Sequence, residues 1–415
     1  MFFYVVLCLV LEALLALWLL RRAGLLVSRR AFVLSALLLA AAFVLRGLCL
    51  DYETLDYQNF LRHWVDFYRD NGGFRAISQP LGNYNIPYLY FLCLFSYLPI
   101  RDLYLIKLLS ILFDVLLAFA AAMLLGQVRR NAGAQLACFF TVLFLPTVVL
   151  NGALWGQCDS IYVALALLGL WLAMEDRPVL SVLCFTLAFG FKLQTVFLLP
   201  ILAVFWFQGR FKLRHFLLFP VFYVLLVLPA VLLGKPFVET LTLYASQTGS
   251  IGSGLNYNSP SIYAFFRTVA DEKAASTLGL YGAFAWLILV LALCFRFRGR
   301  MGSRALLAAS LLLALGIPFL LPHMHDRYFF FSDVLSVVVA FACWRAFAAA
   351  PLAQFASLLG YHAYLKMRYL LYMDHGARAL IGVLLITFVL FVYDCTRGVA
   401  EDFSEKQKII LDKQE

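Results

Sequence analysis

From Ala31 to Leu50 the chain runs for twenty residues with a single charged side chain, Arg46. Runs of this kind recur along all 415 residues. About twenty consecutive apolar residues are what an α-helix needs to cross the hydrocarbon core of a bilayer. Inside lipid, only helices and closed barrels satisfy their own backbone polar groups. A barrel is excluded, because its strands alternate apolar and polar residues over segments of roughly ten. Composition agrees: 64% of the residues are hydrophobic and 13% charged, against about 45–50% and about 25% in a soluble domain. A soluble globular protein, a disordered chain and an ordinary nucleic-acid binder are excluded, the last despite a net charge of +10. The expected fold is all-α, a polytopic transmembrane helical bundle of about thirteen spans with juxtamembrane helices on its outer face.

Spans are expected over 2–20, 31–50, 102–125, 134–151, 160–174, 178–192, 193–208, 215–233, 275–295, 304–321, 328–348, 351–372 and 377–394. Short loops rich in Lys and Arg stay on the cytoplasmic side. That places Arg21, Arg22, Arg29, Arg30, Arg129, Arg130, Arg210, Lys212, Arg214 and the Arg296–Arg304 cluster inside, with the C-terminal tail. Residues 84–100 are apolar, but counting them as a span would put Arg129 and Arg130 outside. They are also short and bracketed by Pro87 and Pro99, so a re-entrant or interfacial helix is expected there. Residues 178–192 and 193–208 read as half-length helices meeting near Lys192. Residues 2–20 lack a basic leader, and Arg21 and Arg22 follow the apolar run, which predicts a retained helix with its N-terminus outside. The nine cysteines show no disulfide or zinc spacing and read as small hydrophobes. One integral-membrane domain covers 1–395. Within it 51–101 forms the first outer loop and 234–262 another, and 396–415 is a polar cytoplasmic tail.

The scarce polar residues gather in a few places. Tyr57, Phe60, Leu61, Trp64, Val65 and Tyr68 recur at helical spacing and predict an amphipathic helix lying on the membrane, ended by Gly72 and Gly73. Asp51 and Asp56 stand at its start. Asp56 is either a helix N-cap or a general base for an acceptor hydroxyl. Asn151, Trp155, Gln157 and Asp159 lie between two apolar runs and read either as a polar turn or as part of a site. Lys192 and Gln194 are embedded in apolar sequence; a lysine there snorkels outward or meets an anion such as a lipid phosphate. His323, His325, Asp326 and Arg327 crowd one turn. A metal is weakly indicated, since no fourth ligand is apparent, whereas the fork of Arg327 suits phosphate oxygens. Lys107 and Asp114 are two turns apart on one helix face and read as a buried polar pair, and Arg46 as a snorkelling residue. Carboxylates, cations and an aromatic surface helix thus converge on one outer face, as a site needs where a phosphate-bearing lipid meets a hydroxyl. No Walker loop or dinucleotide fingerprint points to a soluble nucleotide.

The motifs LDYQNFLRHW, NGGF, GNYNIPYLY, LWGQCDS, FKLQTVFLLP and PHMHDRYFF, spread from about Arg46 to Tyr328, resemble those of the GT-C superfamily of membrane glycosyltransferases. Within it the chain resembles bacterial mannosyltransferase-like proteins related to the GPI mannosyltransferase that adds the second mannose. The resemblance implies a polyprenyl- or dolichyl-phosphate sugar as donor, mannose-type chemistry at an extracytoplasmic site of the plasma membrane, and inversion at the anomeric carbon. It implies an aspartate base, with Asp56 the best match and Asp51 the second. Asp159 matches a second acidic position. Lys192 and Arg327 match the cations near the lipid phosphate, with Gln194, His325, Trp155 and Gln157 as further substrate contacts. The acceptor would be a lipid, glycan or protein hydroxyl. No metal ligands are assigned, although some relatives use a divalent cation. Three features depart from the pattern: Asp326 where glutamate is expected, Leu193 where proline is common, and the extra N-terminal span.

A transporter or lipid flippase is the competing expectation. It would place polar residues at the bilayer midplane on broken helices, usually in two related halves. No such internal symmetry is visible, and the acidic residues fall at span ends. A scaffold subunit would not require Asp56, Asp159, Lys192 and Arg327 on one face.

Overall fold

The structure, a computed structural model, describes residues 2–82, 84–247, 254–266, 268 and 270–411. Among them the regular structure is helical, apart from one two-residue parallel bridge that pairs Asn256–Tyr257 with Met324–His325. Seven helices are long and apolar enough to cross a membrane: Phe3–Arg22, Arg29–Cys49, Asp102–Gly126, Leu213–Leu232, Glu272–Arg296, Ser303–Leu320 and Met373–Arg397. Ala132–Leu143 and Pro146–Trp155 form a pair bent by 47°, which makes eight if it is one span.

The other expected spans are shorter. Asp159–Met174 has 16 residues, Pro178–Phe191 has 14, Phe330–Ala342 has 13 and Ala349–Leu365 has 17. At about 1.5 Å per residue none of these reaches the roughly 30 Å of a hydrocarbon core unaided. The count of thirteen is therefore replaced by seven or eight full-length helices and a set of shorter ones. The break predicted at Lys192 is present: the helix ends at Phe191, Lys192 is extended, and a 3₁₀ turn runs over Leu193–Phe197. Residues 84–100 hold only the ten-residue helix Ile86–Phe95, too short to cross and mostly buried rather than laid on the surface.

The chain divides into two compact units, Met1–Leu199 with Leu213–Ser253, and Pro200–Lys212 with Gly254–Glu415. In the first, Asp102–Gly126 is the central helix, buried over 78% of its apolar window. Around it, Phe3–Arg22, Arg29–Cys49 and Leu213–Leu232 are apolar yet largely exposed. In water such surfaces would drive aggregation; in lipid they are the solvated faces. In the second unit Ser303–Leu320 is central, at 83% buried, and Glu272–Arg296 is the exposed apolar helix. The chain is a multi-pass membrane protein.

Local chemistry starts the long helices. Ser28 accepts from Ala31 N–H at 3.1 Å, Asn131 from Ala134 N–H at 2.8 Å and Asp271 from Ala274 N–H at 2.9 Å, each an N-cap. Two helix ends are closed by cations from elsewhere. Lys107 Nζ donates to the carbonyls of Cys49, Leu50 and Tyr52 at 2.8, 3.0 and 2.6 Å. Arg46 donates to the Leu143 carbonyl at 2.8 Å, where the chain breaks before Pro146. Lys107 is thus no partner of Asp114, and Arg46 does not snorkel: it is fully buried.

The helix expected over Tyr57–Tyr68 forms, with Tyr57, Leu61, Trp64, Val65 and Tyr68 buried. Phe60 is 52% exposed. The cause is a π turn over Tyr57–Leu61, which shifts the phase of the stripe by one residue. Residues 248–253 of the loop 234–262 lie outside the described residues, as do 412–415 of the tail. The rest of the tail continues the helix Met373–Leu411.

Candidate functional site

The site of the first unit is built around residues 150–160. A π turn over Leu150–Trp155 ends at Gly156, whose φ of 77° is a left-handed value that favours glycine. The chain reverses there and re-enters a helix at Asp159. This loop presents its side chains in two directions.

Toward the segment that holds Asp56, Trp155 Nε1 donates to Asp56 Oδ2 at 2.9 Å and Gln157 Nε2 donates to the same oxygen at 2.6 Å. Asp56 makes no capping bond with its own side chain, so the N-cap alternative falls away. Trp155 and Gln157 are buried, and Asp56 is half-buried. Thr54 Oγ1 fixes the same junction by donating to the Trp155 carbonyl at 3.2 Å. Tyr84 OH donates to Gln157 Oε1 at 3.4 Å and packs against the Trp64 and Tyr88 rings.

Toward the interior, Asp159 is fully buried and forms an ion pair with Lys192 Nζ. Asn151 Nδ2 donates to the other carboxylate oxygen at 2.8 Å. Lys192 also lies 5.6 Å from the Tyr162 ring centroid. At 9% exposure it does not snorkel to water; a buried carboxylate compensates its charge instead. Just beyond it, Gln194 Oε1 and Thr195 Oγ1 are buried and have no hydrogen-bond partner among the described residues. Buried acceptors left this way invite a ligand or water.

A third pair braces the loop from below. Arg46 Nε donates to Asp114 Oδ2 at 3.0 Å with both side chains fully buried, and Ser160 Oγ donates to Asp114 Oδ1 at 2.5 Å. A Cβ on Gly152 would stand 3.1 Å from that Oδ1, so a side chain there would require the carboxylate to give by a few tenths of an ångström. Ser110 Oγ adds a bond to the Gln157 carbonyl at 2.7 Å.

The family model for glycosyltransferase family 87 matches residues 83–322, more than half of the chain. The chain belongs to this glycosyltransferase family. Among curated proteins, none matches it. The matched segment holds Trp155, Gln157, Asp159, Lys192 and Gln194 of the glycosyltransferase. It begins after Asp51 and Asp56 and ends before His325 and Arg327.

Of the residues expected from the sequence of this glycosyltransferase, Asp56, Trp155, Gln157, Asp159, Lys192 and Gln194 come together in the first unit. Asp51 does not join them: it is exposed and accepts from Tyr104 OH at 2.5 Å. Nearby, Glu53 pairs with Arg101, and its carboxyl is held below its ordinary value by the Gln58 hydrogen bond and by Arg101. His325 and Arg327 belong to the second unit. The His325 ring stacks on Tyr257 at 4.7 Å and tilts against Tyr328 at 5.2 Å. Arg327 lies 3.6 Å from Asp326 Oδ1 and is mostly buried. His323 adopts φ 62° and bonds the Gly254 carbonyl at 2.8 Å. No group of three or more His, Cys, Asp or Glu among the described residues is disposed to hold a metal ion.

Sequence reasoning missed Thr54, Tyr84, Tyr162, Thr195 and the Arg46–Asp114–Ser160 brace. Arg46 and Asp114 carried a usable signal, since ionised residues within apolar spans seek each other.

Proposed function

We propose that the protein transfers a sugar, mannose, from a polyprenyl-phosphate-linked donor to a hydroxyl of a lipid, glycan or protein, with inversion, on the extracytoplasmic face of the plasma membrane. The observation that carries this reading is the loop 150–160, which holds the Asp56 carboxylate through Trp155 and Gln157 and, two residues beyond Gln157, the Asp159–Lys192 pair. The choice of mannose and the kinship with the GPI second-mannose enzymes rest on the GT-C motifs.

In the proposed reaction the acceptor oxygen attacks the anomeric carbon as the bond from that carbon to the phosphate oxygen breaks. The acceptor proton passes to Asp56, acting as general base. The electron pair of the broken bond leaves on the lipid phosphate, a good leaving group that needs little protonation. Lys192 stabilises the charge developing there, and Asp159 with Asn151 fixes where its ammonium points. Gln194 and Thr195 accept hydrogen bonds from donor or acceptor hydroxyls. Holding both substrates in one place makes the attack effectively unimolecular. Arg327 and His325, on a turn of the second unit, are proposed from the GT-C motifs alone as contacts for a lipid phosphate.

The orientation is supported by charge. Arg29 and Arg30 begin the helix whose other end is closed by Lys107 near Asp51, and Arg129 and Arg130 follow the far end of Asp102–Gly126. Positive loops stay in the cytoplasm, which supports an outer position for Asp56. A cysteine placed at Gln58 should react with an impermeant reagent from outside, and one at Arg129 should not.

The decisive experiment incubates the purified protein with labelled polyprenyl-phosphate mannose and cell lipids and follows the label. Transfer is expected from the native protein and its loss from Asp56→Asn, with insertion and folding intact. Full transfer by Asp56→Asn would remove Asp56 as the base.

A further inference from the structure

In the second unit, Arg345 and Arg397 both donate to one phenolic oxygen, that of Tyr393, at 3.3 and 3.1 Å. Their guanidinium carbons also lie over the Tyr393 ring, 5.7 and 5.0 Å from its centroid. Neither arginine has a carboxylate partner among the described residues. The adjacent Asp394 is taken by Arg304, through bonds of 2.8 and 2.5 Å. Two cations gathered on a neutral acceptor repel each other, and an anion between them reverses the sign of that interaction. A phenol that accepts two N–H bonds still has its own proton to donate. The three groups together offer the charge-assisted donors that a phosphate takes.

The surroundings identify the phosphate's carrier. Trp344 is 80% and Phe347 70% exposed, and Arg345 lies 6.0 Å from the Trp344 ring centroid. Exposed Trp and Phe beside arginines mark the boundary between headgroups and acyl chains. Helices Glu272–Arg296 and Ser303–Leu320 meet at this end of the unit, with Arg296, Arg298, Arg300 and Arg304 in or beside their connection. That excess of arginine assigns the end to the cytoplasm, whose leaflet carries anionic lipid that basic clusters between helices bind. His325 and Arg327 lie at the other end of helix Phe330–Ala342 from Trp344.

We propose that Arg345, Arg397 and the Tyr393 hydroxyl bind the phosphate of an anionic phospholipid in the cytoplasmic leaflet, with Trp344 and Phe347 set into the same leaflet. The test is native mass spectrometry of the full chain, titrated with phosphatidylglycerol or with phosphatidylcholine of the same acyl chains. The native protein is expected to retain phosphatidylglycerol preferentially. Arg345→Gln with Arg397→Gln is expected to weaken that retention about tenfold or more, with an unchanged thermal midpoint in lipid-free detergent. Should that variant fail to fold, Tyr393→Phe keeps both charges and is expected to weaken retention several-fold. Equal retention of the two lipids, or unchanged affinity in the folded variants, overturns the proposal. So does displacement of the lipid by inorganic phosphate alone, which would make the site one for a soluble anion.

Discussion

The Trp155 indole N–H donates to Asp56 Oδ2 at 2.9 Å across 99 residues of sequence. The bond joins the segment that holds Asp56 to the turn that carries Asp159, so the orientation of the proposed base depends on a residue outside its own segment.

Loosening that hold should therefore cost turnover more than binding. Gln157→Leu, or Trp155→Phe, which keeps most of the ring volume, is expected to lower kcat about tenfold to a hundredfold with KM changed much less. The expected range is that of losing a group that orients a general base. Steady-state sugar transfer on folded variants measures it; an equal rise in KM with kcat unchanged would assign these residues to substrate binding instead.

The Asp159–Lys192 pair separates stability from activity. Asp159→Asn leaves a buried ammonium without its carboxylate and should destabilise by about 3–5 kcal/mol. Asp159→Asn with Lys192→Met removes both charges and should recover much of that loss while remaining inactive. Thermal unfolding in detergent, read beside transfer, distinguishes the two. Activity in the double variant would exclude Lys192 from stabilising the leaving phosphate.

Arg46 and Asp114 test the brace in the same way, at a place that touches no substrate. Arg46→Ala should destabilise by about 3–5 kcal/mol, whereas Arg46→Met with Asp114→Leu is expected to be far milder. The double variant still loses the Ser160 bond and the Leu143 cap. Partial activity with a shifted kcat is therefore expected, and native activity would show that the brace has no positioning role.

Acid should loosen the segment around Glu53. The Glu53 carboxyl is held below its ordinary value of 4.5 by Gln58 and Arg101. A lowered folded value means that the contribution is complete above about 4.5 and disappears as the pH falls through the lowered value. Because Glu53 is largely solvated, the effect should be small and weakened by salt. Comparing the unfolding midpoints of the native protein and Glu53→Gln from pH 6 to 3 measures it: the gap should close on acidification, and a constant gap would rule the ion pair out as its source.

The apolar runs were legible because lipid imposes a length and a composition on every span. The chain break at Lys192 was legible too, because a lysine followed by Gln194 interrupts an apolar stretch. The stripe Tyr57, Leu61, Trp64, Val65, Tyr68 was readable at a period of 3.6, but Phe60 was misplaced, since a π turn inserts one residue and leaves no mark in composition. Within the site, the residue types at Asp56, Trp155, Gln157, Asp159 and Lys192 were visible, whereas their pairings were not. Arg46 and Asp114 are 68 residues apart, and which neighbours a span faces is decided by packing. For the same reason Lys107 was matched with Asp114, seven residues away, when it closes the end of another helix.

The positions of Lys107 and Arg46 carry a wider consequence. A helix that stops leaves its last carbonyls without intrahelical donors, and an apolar medium has nothing to offer them. At Cys49–Tyr52 and at Leu143 the missing donors arrive on side chains from other helices. The protein thus supplies its own local solvent at the points where these two helices stop.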